Sequence, residues 1–399
     1  GAREIVERVA AKGDAALIEF AKKFDGAKLT AKTLRVSEGE LATAGQAVNA
    51  KLKRAIRFAH RNISQFHKQG LRKGWSGHNA QGAKVGEKFD PFGRVGVYIP
   101  GGTAPLMSTA LMTVTLAKVA GCREIVVCTP CGKNGSVNPG LLHAAKVAGA
   151  TEVYRVGGAH AIAAMAHGTK TIVPVQKIFG PGNAYVVAAK RLLVGHVSID
   201  LLPGPSEVLV LADETANPAF AAADILAQAE HGSGHERCWL VSSSARVLKA
   251  VDREIEKQLP ERSRADYIRK VLKHNGWLIQ VKSRAEGIAL ANRLAPEHCE
   301  VMIKNPRSAA KEIVTAGALF LGNTSPTVTG DYVAGPSHTL PTGGAGASFP
   351  GLTVDMFQRR TSVVEYTPAA LRKSIEAIEQ FAGVEGLDAH GRSASIRLD

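Results

Sequence analysis

The pattern of apolar residues divides the chain into an N-terminal helical part and a longer part of mixed type. Apolar positions at helical spacing predict helices over residues 3–24 and 44–68. From Val95 onward, short runs rich in Val, Ile and Leu alternate with Ala-rich segments at helical spacing. The predicted strands are Val95–Ile99, Ile125–Thr129, Glu152–Val156, Val173–Ile178, Val208–Leu211, Cys238–Ser242, Trp277–Val281, Val301–Ile303 and Ala318–Leu321. The predicted helices between them include Ser108–Ala120, Leu141–Ala148, Ala159–His167, Asn183–Leu193, Pro218–Glu230, Ala245–Gln258 and Arg284–Arg293.

This alternation of strands and helices predicts βαβ units, and hence mostly parallel sheet. The predicted strands are more numerous than the strands of one sheet of usual size, so two doubly wound α/β domains are expected. Gly-Pro signals at Gly180-Pro-Gly182 and Pro203-Gly-Pro205 mark candidate crossing points between them. After Leu321 the chain is rich in Gly and Pro, and a long ordered loop in an enzyme usually lines a site. An amphipathic helix over about Pro368–Phe381 precedes a short tail, which we expect to pack on a partner subunit.

Composition and charge exclude several classes of protein. Of the 399 residues, 45% are hydrophobic and 21% are charged, which is typical of a globular protein. The net charge of +15 fits either nucleic acid or anionic small molecules, but only 5% of residues are aromatic. Basic and aromatic residues are not interleaved as in proteins that stack bases, so no nucleic-acid partner is expected. No apolar run approaches the ~20 residues that span a bilayer, so no membrane partner is expected.

Cysteine usage and the N-terminus bear on the compartment. Five cysteines, an odd and sparse set, argue against a disulfide framework and for a reducing compartment, so we expect the cytoplasm. Cys128 and Cys131 form a CxxC, but no second CxxC completes a four-thiolate zinc site, and an ordinary strand end is the simpler interpretation. No signal peptide is visible. The chain begins with Gly, so the question of whether a leader was removed from the N-terminus stays open.

Two short segments carry residues suited to chemistry. Gln228 and His231 are three residues apart at the end of a predicted helix, where they would share a face and grip one cation. The alternative is a polar last turn on a surface helix. Glu297 and His298 follow Pro296 at the boundary between a helix and a strand, and would offer two proton acceptors of different basicity. The alternative here is a solvent-facing polar pair.

The remaining candidates lie farther along the chain or at the first strands. Asp331 and His390, added to Gln228 and His231, would give two oxygen and two nitrogen ligands, a plausible set for zinc, although spacing cannot show that they meet. Cys299 is a possible nucleophile, but alternation along the strand should direct it to the core. The segments VGVYIPGG from Val95 and GPGN from Gly180 are candidates for cofactor contact, although no GxGxxG fingerprint is present.

These motifs, taken in order, resemble the histidinol dehydrogenase family. The resemblance rests on YIPGG, GPGNAYV, IDLLPGPSEVLVLAD with AAADILAQAEH, then APEH, GDYVAGPSHTLPTGG and EGLDAH, from about Arg3 to Arg397. The family starts somewhat earlier, so an N-terminal portion is expected to be missing. The resemblance implies two incomplete Rossmann-like domains and a small helical extension that packs on a partner subunit. The implied boundaries are 1–97 with 207–351 for the zinc and acid–base domain, 98–206 for NAD contacts, 352–377 for the helical extension and 378–399 for the tail.

The resemblance also implies an activity and a role for each matching residue. The activity is the oxidation of L-histidinol to L-histidine through L-histidinaldehyde, with two hydride transfers to NAD and one zinc ion per subunit. Zinc would anchor the amino and imidazole groups of the substrate, His298 would accept the alcohol proton, and Glu297 would activate water. The implied zinc ligands are Gln228, His231, Asp331 and His390, the last one from the other subunit of a homodimer. The implied substrate contacts are those four with Ser206, His298, His338 and Glu385, and the implied NAD contacts are Tyr98, His160 and Asn183.

Some positions depart from the family pattern. His160 stands where the family usually has Gln, which leaves the effect on NAD binding open. Pro203 and Thr327 also replace usual residues, Ala and Glu, but neither is an implied ligand. The alternative function is a member of the same family that acts on another small primary alcohol, such as a sulfonated diol. The presence of His338, Glu385 and His390 favours a substrate that carries an imidazole.

Overall fold

The fold is described from a computed structural model, which describes residues 1–101 and 105–399. Gly102, in the predicted glycine turn after Tyr98, lies outside the described residues. In chain order, the strands are β1 (Trp75–His78), β2 (Lys84–Pro91), β3 (Arg94–Tyr98), β4 (Glu124–Thr129), β5 (Glu152–Arg155), β6 (Lys177–Phe179), β7 (Ser198–Ile199), β8 (Glu207–Ala212), β9 (Arg237–Ser242), β10 (Gly276–Gln280), β11 (His298–Met302), β12 (Ala318–Leu321) and β13 (Gln358–Glu365).

The α-helices are, in the same order, α1 (Ala2–Lys12), α2 (Asp14–Phe20), α3 (Ala31–Leu34), α4 (Glu38–Thr43), α5 (Ala50–Lys68), α6 (Met107–Ala120), α7 (Pro139–Ala148), α8 (Gly158–His167), α9 (Ala184–Leu193), α10 (Pro218–Ala229), α11 (Ala245–Gln258), α12 (Ala265–Asn275), α13 (Arg284–Leu294), α14 (Pro306–Ala310), α15 (Thr327–Tyr332), α16 (Pro368–Arg372), α17 (Ile375–Glu385) and α18 (Asp388–Ser395). The chain forms two compact units. One contains residues 1–70 and 92–356, and the other contains residues 71–91 and 357–399.

The first parallel sheet of the larger unit has the strand order β5-β4-β3-β6-β7. All its pairings are parallel, as the alternation of strands and helices predicts. The strand order reverses next to β3, and ligands of open α/β sheets usually bind where this happens, at the carboxyl ends of the strands. Helices α1 and α2 bury Val6, Val9 and Leu17 in the core of this sheet, whereas the sequence grouped residues 1–97 with the other sheet. The domain boundaries stay a prediction.

The second parallel sheet has the order β10-β9-β8-β11-β12. Strands β8 and β11 are buried along their whole length. This is why β8 reads as a continuous apolar run after its first residue. Cys299 packs with Leu209 and Val301 in one of the cores beside this sheet and is completely buried. The expectation that Cys299 faces the core is confirmed. Together, the two sheets confirm the predicted class of two doubly wound parallel-sheet domains.

The smaller unit is built on an antiparallel sheet. Strand β2 lies between β1 and β13, and helices α16, α17 and α18 follow. The segment 352–377, which the sequence predicted to be helical, therefore contains a strand. Its residues QRRTSVVE pair with β2, more than 260 residues earlier, and such a distant pairing leaves no local signal. The chain end is helical, as predicted.

Two local predictions differ from the structure. The helix predicted over residues 3–24 is divided at Gly13, whose φ of 52° ends α1. The strand predicted over Val173–Ile178 is shorter and lies at Lys177–Phe179, because Pro174 has no N–H to donate to a neighbouring strand. Within the described residues, no helix is both long and apolar enough to cross a membrane.

Candidate active site

The predicted acid–base pair lies at the amino edge of the second sheet, between its central strands. His298 is the first residue of β11 and is in register with Val208 of β8. Glu297 directly precedes it, and both side chains are buried. Open α/β sheets usually bind ligands at the opposite, carboxyl edge. The helices connecting parallel strands return to the amino edge, so the end of α10 belongs to the same side of this sheet as His298.

A tight turn brings Glu297 and His298 to this edge. Helix α13 ends at Leu294, as Pro296 predicts, and Ala295 adopts a left-handed φ of 46°. That conformation costs a non-glycine residue roughly 1–2 kcal/mol. The N–H of Gly317 donates to the carbonyl of Pro296 at 2.9 Å. A Cβ on Gly317 would lie 2.6 Å from the carbonyl oxygen of Glu297, so only glycine permits this approach.

The backbone of Glu207 holds both members of the pair. Its N–H donates to Oε2 of Glu297 at 2.8 Å, and its carbonyl oxygen lies 3.0 Å from Nδ1 of His298. A carbonyl oxygen only accepts, so Nδ1 must carry the hydrogen. In the neutral ring, Nε2 is therefore the nitrogen with a free lone pair. Nε2 lies 3.6 Å from Oδ1 of Asp331.

The charges of this group set its proton affinities. Burial raises the pKa of Glu297 to about 7. Burial alone would lower the pKa of His298, but the carboxylates of Glu297 and Asp331 outweigh it and raise that pKa to about 9. Burial also favours the neutral form of Asp331, but its hydrogen bond to His298 and the charge of that ring hold its pKa below the usual value. The site thus contains a carboxyl group with a pKa of about 7 and an imidazole with a pKa of about 9.

The predicted metal ligands Gln228 and His231 do not both lie on the helix. Helix α10 ends at Ala229, so Gln228 lies in its last turn and His231 follows the helix. The expected shared helical face is therefore wrong in detail. The chain turns away after Glu230 because Gly232 adopts a φ of 112°. Gln228 is 2% exposed, and its Nε2 has no hydrogen-bond partner.

The donor types of Gln228, His231 and Asp331 fit zinc, but they do not complete a site. Electrostatic interactions join Asp331 to His231, His298 and His338. Burial lowers the pKa of His231, so its imidazole is neutral at pH 7 and has a lone pair to donate. An amide oxygen, a neutral imidazole and a carboxylate are all ligands that zinc accepts. Across the described part of the chain, no three His, Cys, Asp or Glu side chains are grouped to hold a metal, so a further ligand would be required.

The other predicted substrate contacts divide between the two units. Ser206 is half-buried and directly precedes Glu207. His338 lies in the loop-rich segment, which is tied to the amino edge because the N–H of Gly343 donates to Oε1 of Glu207 at 3.1 Å. Glu385 and His390 belong to the smaller unit, in α17 and α18, and both are exposed.

The residues predicted to contact NAD lie at the carboxyl edge of the first sheet. Tyr98 ends β3, and its hydroxyl accepts from the N–H of Gly158 at 3.1 Å. Gly180 directly follows β6 and has a φ of 109°. It lies so close to Tyr98 that a Cβ on it would be 2.1 Å from the carbonyl oxygen of Tyr98. Asn183 caps α9, since its side-chain oxygen accepts from the N–H groups of Tyr185 and Val186. Its side-chain NH₂ group is thus the part suited to a ligand.

Tyr98, His160 and Asn183 line one cavity of about 1120 Å³. Pockets for drug-sized ligands occupy roughly 300–1,000 Å³, so this cavity has room for a dinucleotide. His160 is 1% exposed, and neither of its ring nitrogens has a hydrogen-bond partner. Burial lowers its pKa to about 4, so the ring is neutral. Its ring tilts against Phe20 and Phe24, with centroids 5.4 and 6.0 Å away. A buried ring with unused nitrogens fits a ligand contact.

Comparison with known proteins identifies the family. The profile described as "Histidinol dehydrogenase" matches residues 1–398. The chain belongs to the histidinol dehydrogenase family. It is 46% identical over 395 residues to "Histidinol dehydrogenase" of Synechococcus sp., and the match covers 99% of this chain and 91% of that protein. The histidinol dehydrogenase of Geobacillus kaustophilus is 44% identical over 396 residues, covering 99% and 93%. The family consists of oxidoreductases, in agreement with the predicted class of enzyme.

Solved structures agree with this family and extend the likeness in fold. The crystal structure of histidinol dehydrogenase from Elizabethkingia anophelis has a TM-score of 0.95 and 39% identity, and the match covers 100% of this chain and 91% of that chain. An acetylating aldehyde dehydrogenase from Geobacillus thermoglucosidasius has a TM-score of 0.51 and 15% identity, covering 92% and 96%. At that identity, the second likeness concerns the fold alone.

Sequence reasoning missed three residues that shape these sites in this member of the histidinol dehydrogenase family. Glu207 holds the acid–base pair, and its only local signal is a charge that opens the apolar strand EVLVLA. Phe24 and Asp25 line the cavity beside His160. Burial raises the pKa of Asp25 to about 6, and its Oδ2 has no hydrogen-bond partner. A polar turn after a helix, FDG, gave no reason to expect an aspartate facing a cavity.

Proposed function

We propose that the protein oxidises L-histidinol to L-histidine through L-histidinaldehyde, as a zinc-dependent enzyme that transfers two hydrides to NAD. The observation that carries this proposal is the pair Glu297 and His298, held by the backbone of Glu207 beside Asp331, in a chain of the histidinol dehydrogenase family. As the last step of histidine biosynthesis, the reaction would take place in the cytoplasm.

The first oxidation requires a group that accepts the alcohol proton. Nε2 of His298 is that acceptor, because Nδ1 donates to the carbonyl of Glu207. As the hydroxyl proton passes to Nε2, a hydride leaves the carbon that carries this hydroxyl for NAD, and the alcohol becomes the aldehyde. The carbonyl of Glu207 keeps the ring in the tautomer and orientation that this step needs.

The second oxidation requires water. Glu297 accepts a proton from the water that adds to the aldehyde carbon, and the protonated His298 returns its proton to the carbonyl oxygen, which gives the hydrated aldehyde and a neutral imidazole. Its pKa of about 7 suits a group that must gain and lose a proton at neutral pH. His298 then accepts a hydroxyl proton while the second hydride leaves for a second NAD, and the product is the carboxylate. One substrate thus consumes two NAD and one water.

Gln228, His231 and Asp331 would hold zinc, together with the partner subunit's His390 in a homodimer. When bound, zinc would hold the amino and imidazole groups of the substrate and, by engaging Asp331, lower the pKa of His298. Ser206, His338 and Glu385 would contact the substrate. Tyr98, His160 and Asn183 would contact NAD within the cavity of the first sheet.

Turnover by the zinc-loaded protein tests the proposal. With histidinol and NAD, the protein should produce two NADH for each histidine formed. Glu297→Gln should slow the oxidation of supplied histidinaldehyde far more than that of histidinol, whereas the exposed Glu256→Gln should change neither. No NADH from histidinol, with NADH from a sulfonated diol, would instead identify the alternative substrate.

A further inference from the structure

A pair of buried carboxyl groups lies next to the candidate active site and has no role in the steps above. Asp224 of α10 is 6% exposed, and Glu300 of β11 is completely buried. The two side chains are within hydrogen-bonding distance of each other. Two carboxylates so close in a dry interior cannot both be ionised, so the pair shares a proton. Burial, followed by the charge of Asp224, raises the pKa of Glu300 to about 9, in agreement with this.

The pair joins three elements that carry site residues. Glu300 is two residues after His298, so both project from the same face of β11. Asp224 is four residues before Gln228, so both lie on one face of α10. Oε1 of Glu300 accepts from the N–H of Thr327 at 2.8 Å. Thr327 is the first residue of α15, the short helix that carries Asp331.

Packing alone does not explain two acids in this position. Burying a carboxyl group costs free energy unless its hydrogen bonds are made, and apolar residues of similar size would fill the same space at lower cost. Oε2 of Glu300 has no hydrogen-bond partner in the structure, and a proton shared with Asp224 would give the pair a hydrogen bond between its carboxyl groups. The pair therefore provides directional hydrogen bonds, which apolar packing cannot.

We propose that Asp224 and Glu300 form a positioning pair, whose shared proton fixes the relative placement of the ends of α10 and α15 and of the first residue of β11. Without it, the ends of α10 and α15, which carry Gln228 and Asp331, would no longer be held in place relative to the start of β11. Removal of a group that orients metal ligands without binding the metal itself typically lowers metal affinity 10- to 100-fold. The proposal rests on the proposed function for the identity of the metal, zinc.

The test compares variants that keep or remove these hydrogen bonds. Glu300→Ala should weaken zinc binding about 10- to 100-fold in competition with a chromophoric chelator. Glu300→Gln keeps an acceptor for Thr327 and a donor for Asp224, and should restore zinc affinity to within about threefold of the wild type. The matched control is Cys299→Ala, one residue away on the other face of β11, which should lower stability and leave zinc affinity within about threefold.

A second variant and a second readout keep the test decisive if Glu300→Ala does not fold. Thr327→Pro removes the N–H that donates to Glu300, together with the threonine hydroxyl, at the first helical position, where proline is tolerated. It should weaken zinc binding about tenfold. Hydrogen exchange, measured without zinc, should accelerate in residues 327–332 and near 228 in Glu300→Ala but not in Cys299→Ala.

Two results would overturn the proposal: equal zinc affinity in Glu300→Ala and Cys299→Ala, or a Glu300→Gln variant as weak as Glu300→Ala. If the wild-type protein binds no zinc, the proposed function fails, and hydrogen exchange still decides whether the pair orders these elements. Uniform acceleration of exchange across the second sheet would mean that the pair only stabilises the core.

Discussion

Replacing His298 by Asn should remove the proton acceptor of both oxidations without removing a predicted zinc ligand. The Asn side chain keeps an N–H group that can donate to the carbonyl of Glu207, so the turn before β11 should persist. Zinc content should therefore match the wild type, while kcat with histidinol should fall. The two measurements separate a role in proton transfer from a role in metal binding.

The size of the loss follows from the position of His298. A positioned general base contributes roughly 10²- to 10⁴-fold, which corresponds to about 2.7–5.5 kcal/mol of activation free energy. Burial alone would lower the pKa of His298, but the carboxylates of Glu297 and Asp331 outweigh it and raise the pKa to about 9. Only about 1% of the ring would then be neutral at pH 7. The ratio of wild-type to variant kcat should rise up to about 50-fold between pH 7 and pH 9, and by less when zinc engages Asp331.

The assay is NADH absorbance during turnover from pH 6 to pH 10, with zinc content measured on the same samples. The wild-type kcat should increase with pH, with a midpoint at or below about pH 9, because only the neutral ring accepts a proton. The variant should lack this increase. An equal inflection in both proteins, or a variant that has lost its zinc, would refute the role given to His298.

Three further predictions concern the metal, the cofactor cavity and the first sheet. Asp331→Ala should lower zinc occupancy, measured by metal analysis, because it removes the anionic ligand, and unchanged occupancy would exclude Asp331 as a ligand. His160→Gln should leave the pH dependence of the KM for NAD unchanged from pH 6 to pH 8, because His160 has a pKa of about 4 and is neutral throughout; an inflection near pH 6.5 that disappears in His160→Gln would contradict this. Lys190→Met should lower the free energy of unfolding in urea by about 3–5 kcal/mol, because it leaves the carboxylate of Asp200, which Lys190 pairs with, buried and unpaired. A change below about 1 kcal/mol would show that this pair contributes little.

The parts of the fold that follow from local periodicity could be predicted from the sequence. Buried parallel strands such as β8 and β11 read as apolar runs, and each is followed by a segment of helical spacing. The antiparallel sheet could not be found in this way. Strands β1 and β13 are largely exposed, and β13 pairs with a segment far away in the chain, so neither gives an apolar pattern.

The candidate site could likewise be predicted only where the sequence carries a local signal. The boundary before β11 is visible in the sequence because Pro296 must end a helix, and this placed Glu297 and His298 correctly at an element edge. The part played by Glu207 depends on the register of β8 against β11, across about 90 residues of chain, and no local signal fixes that register. The place of His231 beyond α10 depends likewise on the turn at Gly232.

A zinc-edge anomalous difference map of crystals grown with zinc and histidinol tests the central claim most directly. We predict one anomalous peak per subunit, surrounded by Gln228, His231, Asp331 and the partner subunit's His390, with His298 close to the substrate hydroxyl. A peak at other residues, or a substrate hydroxyl remote from both His298 and Glu297, would contradict the assignment of this site.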